Sequence, residues 1–229
     1  MGSQRILSIE SASKSYMQGK QSVVILKNIQ LNQDAGTMIA ITGPSGCGKT
    51  TLLQCAAGLD QFCSGVCTLF GHDMQTMTPS ALTDLRAKHI GFVYQRPHLL
   101  PDFTVLENVM MPLRINGYQQ KPAQKLALES LDAVGLSHVA AYMPNALSGG
   151  MQQRVAIARA VVHKPRMIFA DEPTGNLDGT SKAQCMHFLV SLQRAIGAAL
   201  CIVTHDDWVA SHADQIIEME AINPPSMGE

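Results

Sequence analysis

Gly43-Pro44-Ser45-Gly46-Cys47-Gly48-Lys49-Thr50 is the stretch that decides the fold. It follows Met38-Ile39-Ala40-Ile41-Thr42, an apolar β-branched run that reads as a strand, and it opens Lys49–Ala57, whose composition suits a helix. Strand, glycine-rich turn and helix in that order form the setting in which a backbone can wrap an anion. Glycines at 43, 46 and 48 let N–H groups turn toward anionic oxygens beside the positive end of the helix dipole. In such a loop Lys49 reaches the β- and γ-phosphates of a nucleotide, and the Thr50 hydroxyl ligates Mg²⁺.

A phosphate loop needs a second, acidic strand to hold the metal. Met167-Ile168-Phe169-Ala170-Asp171-Glu172 supplies it as an apolar run ending in two carboxylates. Asp171 then serves Mg²⁺, and Glu172 is placed to polarise an attacking water as general base. Between the two strands lies Leu147-Ser148-Gly149-Gly150-Met151-Gln152-Gln153-Arg154, followed by a helical run through Ala160. Ser148 suits the N-cap of that helix, and the two glycines leave its first N–H groups bare, which makes a second anion site in the same chain.

Further apolar runs at Ile6–Ile9, Val23–Leu26, Val66–Phe70, Ile90–Val93, Leu200–Thr204 and Gln215–Met219 read as strands. Helix-forming composition fills Ala81–Lys88, Val105–Ile115, Ala123–Val134, Gly149–His163, Lys182–Ala195 and Trp208–Ala213, with Thr104 a natural N-cap. Strands lie toward the two chain ends and helices cluster in the middle. This order predicts an α/β core built from residues 1–95 and 163–229, with a helical subdomain over roughly 96–162 that carries the signature segment.

Composition narrows the class. Charged residues are only 15% of the 229 and apolar residues 46%, so the chain can bury a sizeable core and presents unusually little charge to solvent. One face is expected to be covered by a partner. With 17 Lys and Arg against 18 Asp and Glu, the net charge of -1 disfavours a broadly basic nucleic-acid binder. The N-terminal stretch lacks the apolar core of a secretory signal. The longest apolar run, Ala195–Val203, is about nine residues, against the ~18–20 that span a bilayer. The expectation is a cytosolic chain that reaches a membrane only through a partner, without inserting into it. Its six cysteines (Cys47, Cys55, Cys63, Cys67, Cys185 and Cys201) are expected to be reduced thiols, because Cys63/Cys67 has no second ligand pair to complete a zinc site.

Taken in order, these motifs resemble the ATP-binding subunit of an ABC (ATP-binding cassette) transporter, and the resemblance covers nearly the whole chain. It implies a P-loop NTPase cassette fold: an α/β, RecA-like mixed-sheet core, an antiparallel β subdomain and a helical subdomain insertion. It implies ATP and Mg²⁺ as ligands. By resemblance, Gly43, Pro44, Ser45, Gly46, Cys47, Gly48, Lys49, Thr50 and Thr51 form the Walker A loop that binds the nucleotide. Gln95 centres the glutamine loop and, with Thr50 and Asp171, attends the metal. Ser148, Gly149 and Gly150 form the signature, Gly175-Asn176-Leu177-Asp178 the D-loop, and His205 the switch histidine. Tyr16 matches the aromatic that stacks on adenine. Glu172, His205, Gln95 and Lys49 are the catalytic set. The resemblance further implies a head-to-tail homodimer in which ATP lies between Lys49 of one chain and Ser148-Gly149-Gly150 of the other.

Two departures from the family pattern are visible: Met151 stands where many relatives carry Glu, and Cys47 where Ser is common. The segment Met219-Glu220-Ala221-Ile222-Asn223 also lacks the Asp-Gly turn and closing strand that the resemblance leads one to expect, which leaves the pairing of the last strand open. The tail Ala221–Glu229, with Pro224 and Pro225, reads as frayed.

Within the family, Tyr94-Gln95-Arg96-Pro97-His98-Leu99-Leu100-Pro101-Asp102-Phe103-Thr104 is similar to the LolD-type ATPases of lipoprotein-releasing complexes, whose corresponding region meets the membrane subunits LolC and LolE. MacB-like efflux and FtsE-like division ATPases belong to the same subgroup. The resemblance implies a peripheral protein on the cytoplasmic face of an inner membrane, touching two integral membrane subunits through Gln95–Leu113. Leu99, Leu100, Phe103, Met110 and Met111 offer an apolar surface for a partner helix, although their helical spacing also fits plain core packing. A DNA-repair or chromosome cassette would need a long coiled coil between Gln95 and Ser148, and the segment is too short for one.

Overall fold

A parallel strand covered on both faces has to be apolar along its length, and Met38–Thr42 meets that condition: every residue but Thr42 is buried. A computed structural model describes residues 4–223 and shows how the chain is built around that strand. It divides into two compact units, one made of the stretches up to Arg86 and from Ala199 onward, the other of Ala87–Ala198.

In the first unit, β1 (Arg5–Gln18) and β2 (Gln21–Asp34) form a long antiparallel pair, followed by β3 (Met38–Thr42), α1 (Lys49–Ala56), β4 (Ser64–Leu69) and β5 (His72–Asp73). The antiparallel sheet runs β2-β1-β4-β5. The helix α2 (Pro79–His89) leads into the second unit, which holds β6 (Ile90–Tyr94), α3 (Val105–Ile115), α4 (Gln120–Ala133), α5 (Gly149–Val161), β7 (Met167–Asp171) and α6 (Gly179–Ile196). The chain then returns to the first unit as β8 (Ala199–Thr204), α7 (Asp207–Ala210), β9 (Gln215–Glu218) and α8 (Met219–Ile222). In that unit β3 is flanked by β8 and β9, both parallel to it.

The last strand, whose pairing the sequence leaves open, does close: Ile39 to Thr42 pair with Gln215 to Glu218. The strand stops one residue short of the sequence reading because Met219 enters α8 and is fully buried there. Of the tail expected to fray, Ala221–Asn223 are ordered into that turn, and Pro224–Glu229 lie outside the described residues. The strand readings at Ile6–Ile9 and Val23–Leu26 each find part of a strand of 14 residues.

The second unit packs α3, α4 and α5 around one apolar core that includes Val105, Val109, Leu113, Ala127, Leu131, Val155 and Ala158. Thr104 caps α3 as expected and forms a reciprocal capping box with Glu107. Met110 belongs to this core, at 4% exposure, and not to a surface. Of the five residues read as an apolar surface, only Leu100 and Phe103 are exposed. Met110 turns into that core, where burial of such a side chain contributes about 1.5–3 kcal/mol, Leu99 packs half-buried against it, and Met111 is half-buried. Among the described residues no helix is long and apolar enough to cross a membrane.

His163, just past α5, has Nε2 at 3.1 Å from the Ile90 carbonyl, while its Nδ1 is buried with no hydrogen-bond partner among the described residues. Burial holds this imidazole below its ordinary value of 6.5, helped by the nearby His89. The folded chain therefore keeps the ring neutral. The stability this gives is complete above the unfolded value and is lost as pH falls through the depressed folded value. We expect the urea midpoint of the protein to fall between about pH 7 and pH 5, and to fall less in His163→Phe.

Candidate functional site

In the first unit β3 delivers the chain at Thr42 into the loop 43–48, and α1 begins at Lys49. Gly48 occupies the N-cap of α1 at φ 99°, and no side chain caps that helix. A Cβ on Gly48 would lie 3.0 Å from Leu26 Cδ2 and 3.3 Å from the Ile25 carbonyl, so β2 presses the loop at the point where the backbone must also be left-handed. Lys49 is only 7% exposed. Its ammonium donates to the carbonyls of Gly43 (2.7 Å) and Pro44 (2.8 Å) and lies 3.9 Å from Cys47 Sγ. No carboxylate pairs with it among the described residues. A nearly buried cation whose partners among the described residues are two carbonyls and a cysteine sulfur suits an anionic ligand such as a phosphate group. Thr50 places a hydroxyl on the first turn of α1, with Thr51 half-buried behind it.

Tyr16 on β1 is held by two partners. Its hydroxyl donates to Asp60 Oδ2 at 2.7 Å, and the Lys14 ammonium lies 4.7 Å from its ring centroid. Lys14 also donates to Asp60 Oδ1 at 2.6 Å and to the Gln61 carbonyl. Burial alone would raise Asp60, but the hydrogen bonds from Lys14, Tyr16 and the Gln61 N–H hold it below the usual carboxylate range. Burial likewise opposes the charge on Lys14, and Asp60 reverses that effect and raises it. The result is an oriented ring, 41% exposed, with a cation against it. His205 follows β8 and is exposed; with Thr42, Gly43, Pro44, Asp207 and Glu218 it lines a cleft of about 330 Å³.

In the second unit Asp171 ends β7, paired in register with Tyr94 at the end of β6. Glu172 follows with φ 45°, a conformation rare for a residue with a side chain and one that persists only where surroundings impose it. Gln95 and the D-loop grip each other: Gln95 Nε2 donates to Asn176 Oδ1 at 3.1 Å, and Asn176 Nδ2 to the Gln95 carbonyl at 3.3 Å. Asp178 caps α6, accepting from the N–H groups of Thr180 and Ser181. These bonds hold its carboxyl below the usual range. Ser148 caps α5 by accepting from the Met151 N–H at 3.3 Å. With Met151 in place of an acid, the first turn of α5 carries no negative side chain to oppose an incoming anion.

Several residues that hold these loops were not singled out in the sequence. Gln153 is 1% exposed and donates to the carbonyls of Tyr94 (2.9 Å) and Pro173 (2.7 Å), linking the glutamine loop to the turn after Glu172. Arg159 donates to the carbonyls of Pro97 and His98. Asn108, fully buried in α3, donates to the carbonyls of Leu100, Phe103 and Thr104. The available signal was a polar residue on an otherwise apolar helical face. The Lys14–Asp60 pair gave no such signal, since 46 positions separate its members.

A phosphate loop on a buried parallel strand, an acidic strand, and a serine-capped diglycine helix define an ATP-hydrolysing P-loop cassette. Residues 26–175 match the ABC transporter sequence family. The chain belongs to that family as an ATP-binding, ATP-hydrolysing subunit. It is 46% identical over 212 residues to the lipoprotein-releasing system ATP-binding protein LolD of Legionella pneumophila (strain Paris), covering 93% of each chain. It is 44% identical over 215 residues to the LolD of Francisella tularensis subsp. tularensis (strain FSC 198), again covering 93% of each. Among solved structures it is similar to a dimeric ATP-binding cassette in a post-hydrolysis state bound to ADP and Pi, with TM-score 0.86, 37% identity, and coverage of 93% of this chain and 94% of that one. A dimeric bacterial ABC transporter cassette gives TM-score 0.86 at 36% identity, with coverage of 93% and 95%.

The two signature glycines differ in a testable way. A Cβ on Gly149 would meet nothing within 4 Å, whereas one on Gly150 would lie 2.8 Å from Ser181 Oγ and 2.9 Å from its Cβ. Gly150→Ala should lower stability by about 1–3 kcal/mol through overpacking, and Gly149→Ala should leave it within about 0.5 kcal/mol. Thermal unfolding of the two variants without nucleotide checks this.

Proposed function

We propose that this chain is the ATPase subunit of a LolCDE-type transporter that releases lipoproteins from the inner membrane for delivery to the outer membrane. The observation that carries the reading is the 44–46% identity to LolD proteins over 93% of both chains. In this reading the loop Gly43–Thr50 binds the phosphates of ATP, Thr51 and Tyr16 complete the nucleotide site, and Tyr16 stacks on adenine. Thr50, Gln95 and Asp171 offer hydroxyl, amide and carboxylate oxygens, a hard donor set that suits Mg²⁺. When bound, the metal neutralises charge developing on the β- and γ-phosphate oxygens. Glu172 accepts a proton from the attacking water, His205 attends the γ-phosphate, and Lys49 offsets charge on the phosphates. Ser148, Gly149, Gly150 and Asp178 act across a homodimer on the partner's nucleotide.

The chain sits at the cytoplasmic face of the membrane, held there by two LolC/LolE-like integral subunits and not by insertion, and it binds no nucleic acid. Exposed Leu100 and Phe103, set on a loop that Asn108 and Arg159 hold in shape, support contact with a partner helix within Gln95–Leu113.

Glu172→Gln tests both levels of the reading. Its hydrolysis should fall about 100-fold or more while ATP binding persists, because only the proton acceptor is lost. Tagged and purified with ATP from solubilised membranes, the same variant should carry two multi-span membrane proteins and an acylated lipoprotein. Full hydrolysis by Glu172→Gln would remove Glu172 from its role. Recovery of an efflux or division protein would overturn the lipoprotein assignment and favour a MacB-like or FtsE-like partner.

A further inference from the structure

The C-terminal turn of the first unit meets the phosphate loop at two places. Met219 is fully buried, and its Cβ lies 3.0 Å from where a Cβ on Gly43 would stand, so it packs on the first glycine of the loop. Four residues later, Asn223 Nδ2 lies 3.4 Å from the Cys47 carbonyl and donates at 2.9 Å to the Ile25 carbonyl of β2. Asn223 Oδ1 accepts the Lys27 N–H at 2.8 Å, and the Asn223 N–H closes the turn on the Met219 carbonyl at 2.7 Å. One side chain thus joins three segments, namely the phosphate loop, β2 and the end of α8.

The contact with the Cys47 carbonyl has a directional consequence. In a trans peptide the carbonyl and the next N–H lie in one plane and point in opposite directions. Drawing the Cys47 C=O toward Asn223 therefore turns the Gly48 N–H the other way. Gly48 is the residue whose φ of 99° leaves that plane free to swing, since it has no Cβ to restrain it. A Cβ there would crowd Ile25 and Leu26, so the position is left to glycine, and the amide of Asn223 holds the plane through the Cys47 carbonyl.

We propose that Asn223 is a positioning residue for nucleotide binding: with Met219 it clips the phosphate loop and sets the Cys47–Gly48 peptide so that the Gly48 N–H faces bound phosphate. This rests on the reading of Gly43–Thr50 as the phosphate loop. Preset N–H groups bind an anion without first paying for their alignment, so the clip acts on affinity and leaves the chemical step alone.

The test uses the full chain and three variants, Asn223→Ala, Asn223→Asp and Lys49→Ala, measuring ATP affinity, steady-state KM and kcat, and unfolding without nucleotide. Asn223→Asp keeps the acceptor for Lys27 but faces the Ile25 and Cys47 carbonyls with oxygen, so it serves even if Asn223→Ala folds poorly. Both Asn223 variants should raise KM and weaken ATP binding by about three- to tenfold, the worth of a lost hydrogen bond or two, with kcat within about twofold of the parent. An unchanged KM in Asn223→Asp, or a kcat that falls while KM stays level, would overturn the proposal. So would a rise in KM matched by an equal loss of unliganded stability, which marks a merely structural residue. If Lys49→Ala binds ATP as tightly as the parent, the phosphate-loop reading itself fails; if Lys49→Ala loses ATP while both Asn223 variants keep it, only the clip fails.

Discussion

The ammonium of Lys49, nearly buried and bonded to the carbonyls of Gly43 and Pro44 with no carboxylate partner among the described residues, governs the first unit. An unpaired buried charge is costly, and a chain keeps one only where the surrounding structure holds it in place. Here β3, clamped between β8 and β9, fixes where the loop begins, and Ile25 and Leu26 of β2 press on Gly48 where it ends. Carbonyls that turn toward Lys49 commit their peptide planes, so the cation shapes the loop as well as charging it. In the proposed reading, phosphate binding recovers that energy, which makes ligand affinity and loop geometry two expressions of one interaction.

The second unit solves a different problem, that of holding loops whose backbone groups cannot pair among themselves. Buried Gln153, Asn108 and half-buried Arg159 donate side-chain N–H groups to carbonyls of the glutamine loop, the turn after Glu172 and the segment around Leu100. Each leaves at least one carbonyl without its bond if truncated, a loss of about 1–3 kcal/mol where the group is buried. Functional loops on a rigid scaffold are thereby given definite shapes without becoming regular structure. The mutual grip of Gln95 and Asn176 joins the glutamine loop to the D-loop in the same manner.

Much of this was legible in the residues. Met38–Thr42 and Met167–Ala170 are short, apolar and β-branched or aromatic, so burial on both faces left a continuous hydrophobic run. The phosphate loop, acidic strand and capped diglycine each announced themselves through local chemistry. The long β1–β2 pair did not, because an antiparallel pair with one wet face carries many polar residues, and left-handed Ser11 and Asn28 break its alternation. The spacing of Met110 on α3 suits either a groove or a core, and only the placement of α4 and α5 decides for the core. The Lys14–Asp60 pair and the reach of Asn223 back to Cys47 are long-range contacts with no local trace.

We propose that one chain carries two halves of a nucleotide site that are completed only between copies. Mixing Lys49→Ala with Ser148→Arg, each inactive alone, tests it most directly through ATPase activity. The mixture should regain activity, since pairing the two variants rebuilds one intact site from the unmodified Lys49 and the unmodified Ser148. A mixture as inactive as its components, with mixed dimers confirmed to form, would contradict it.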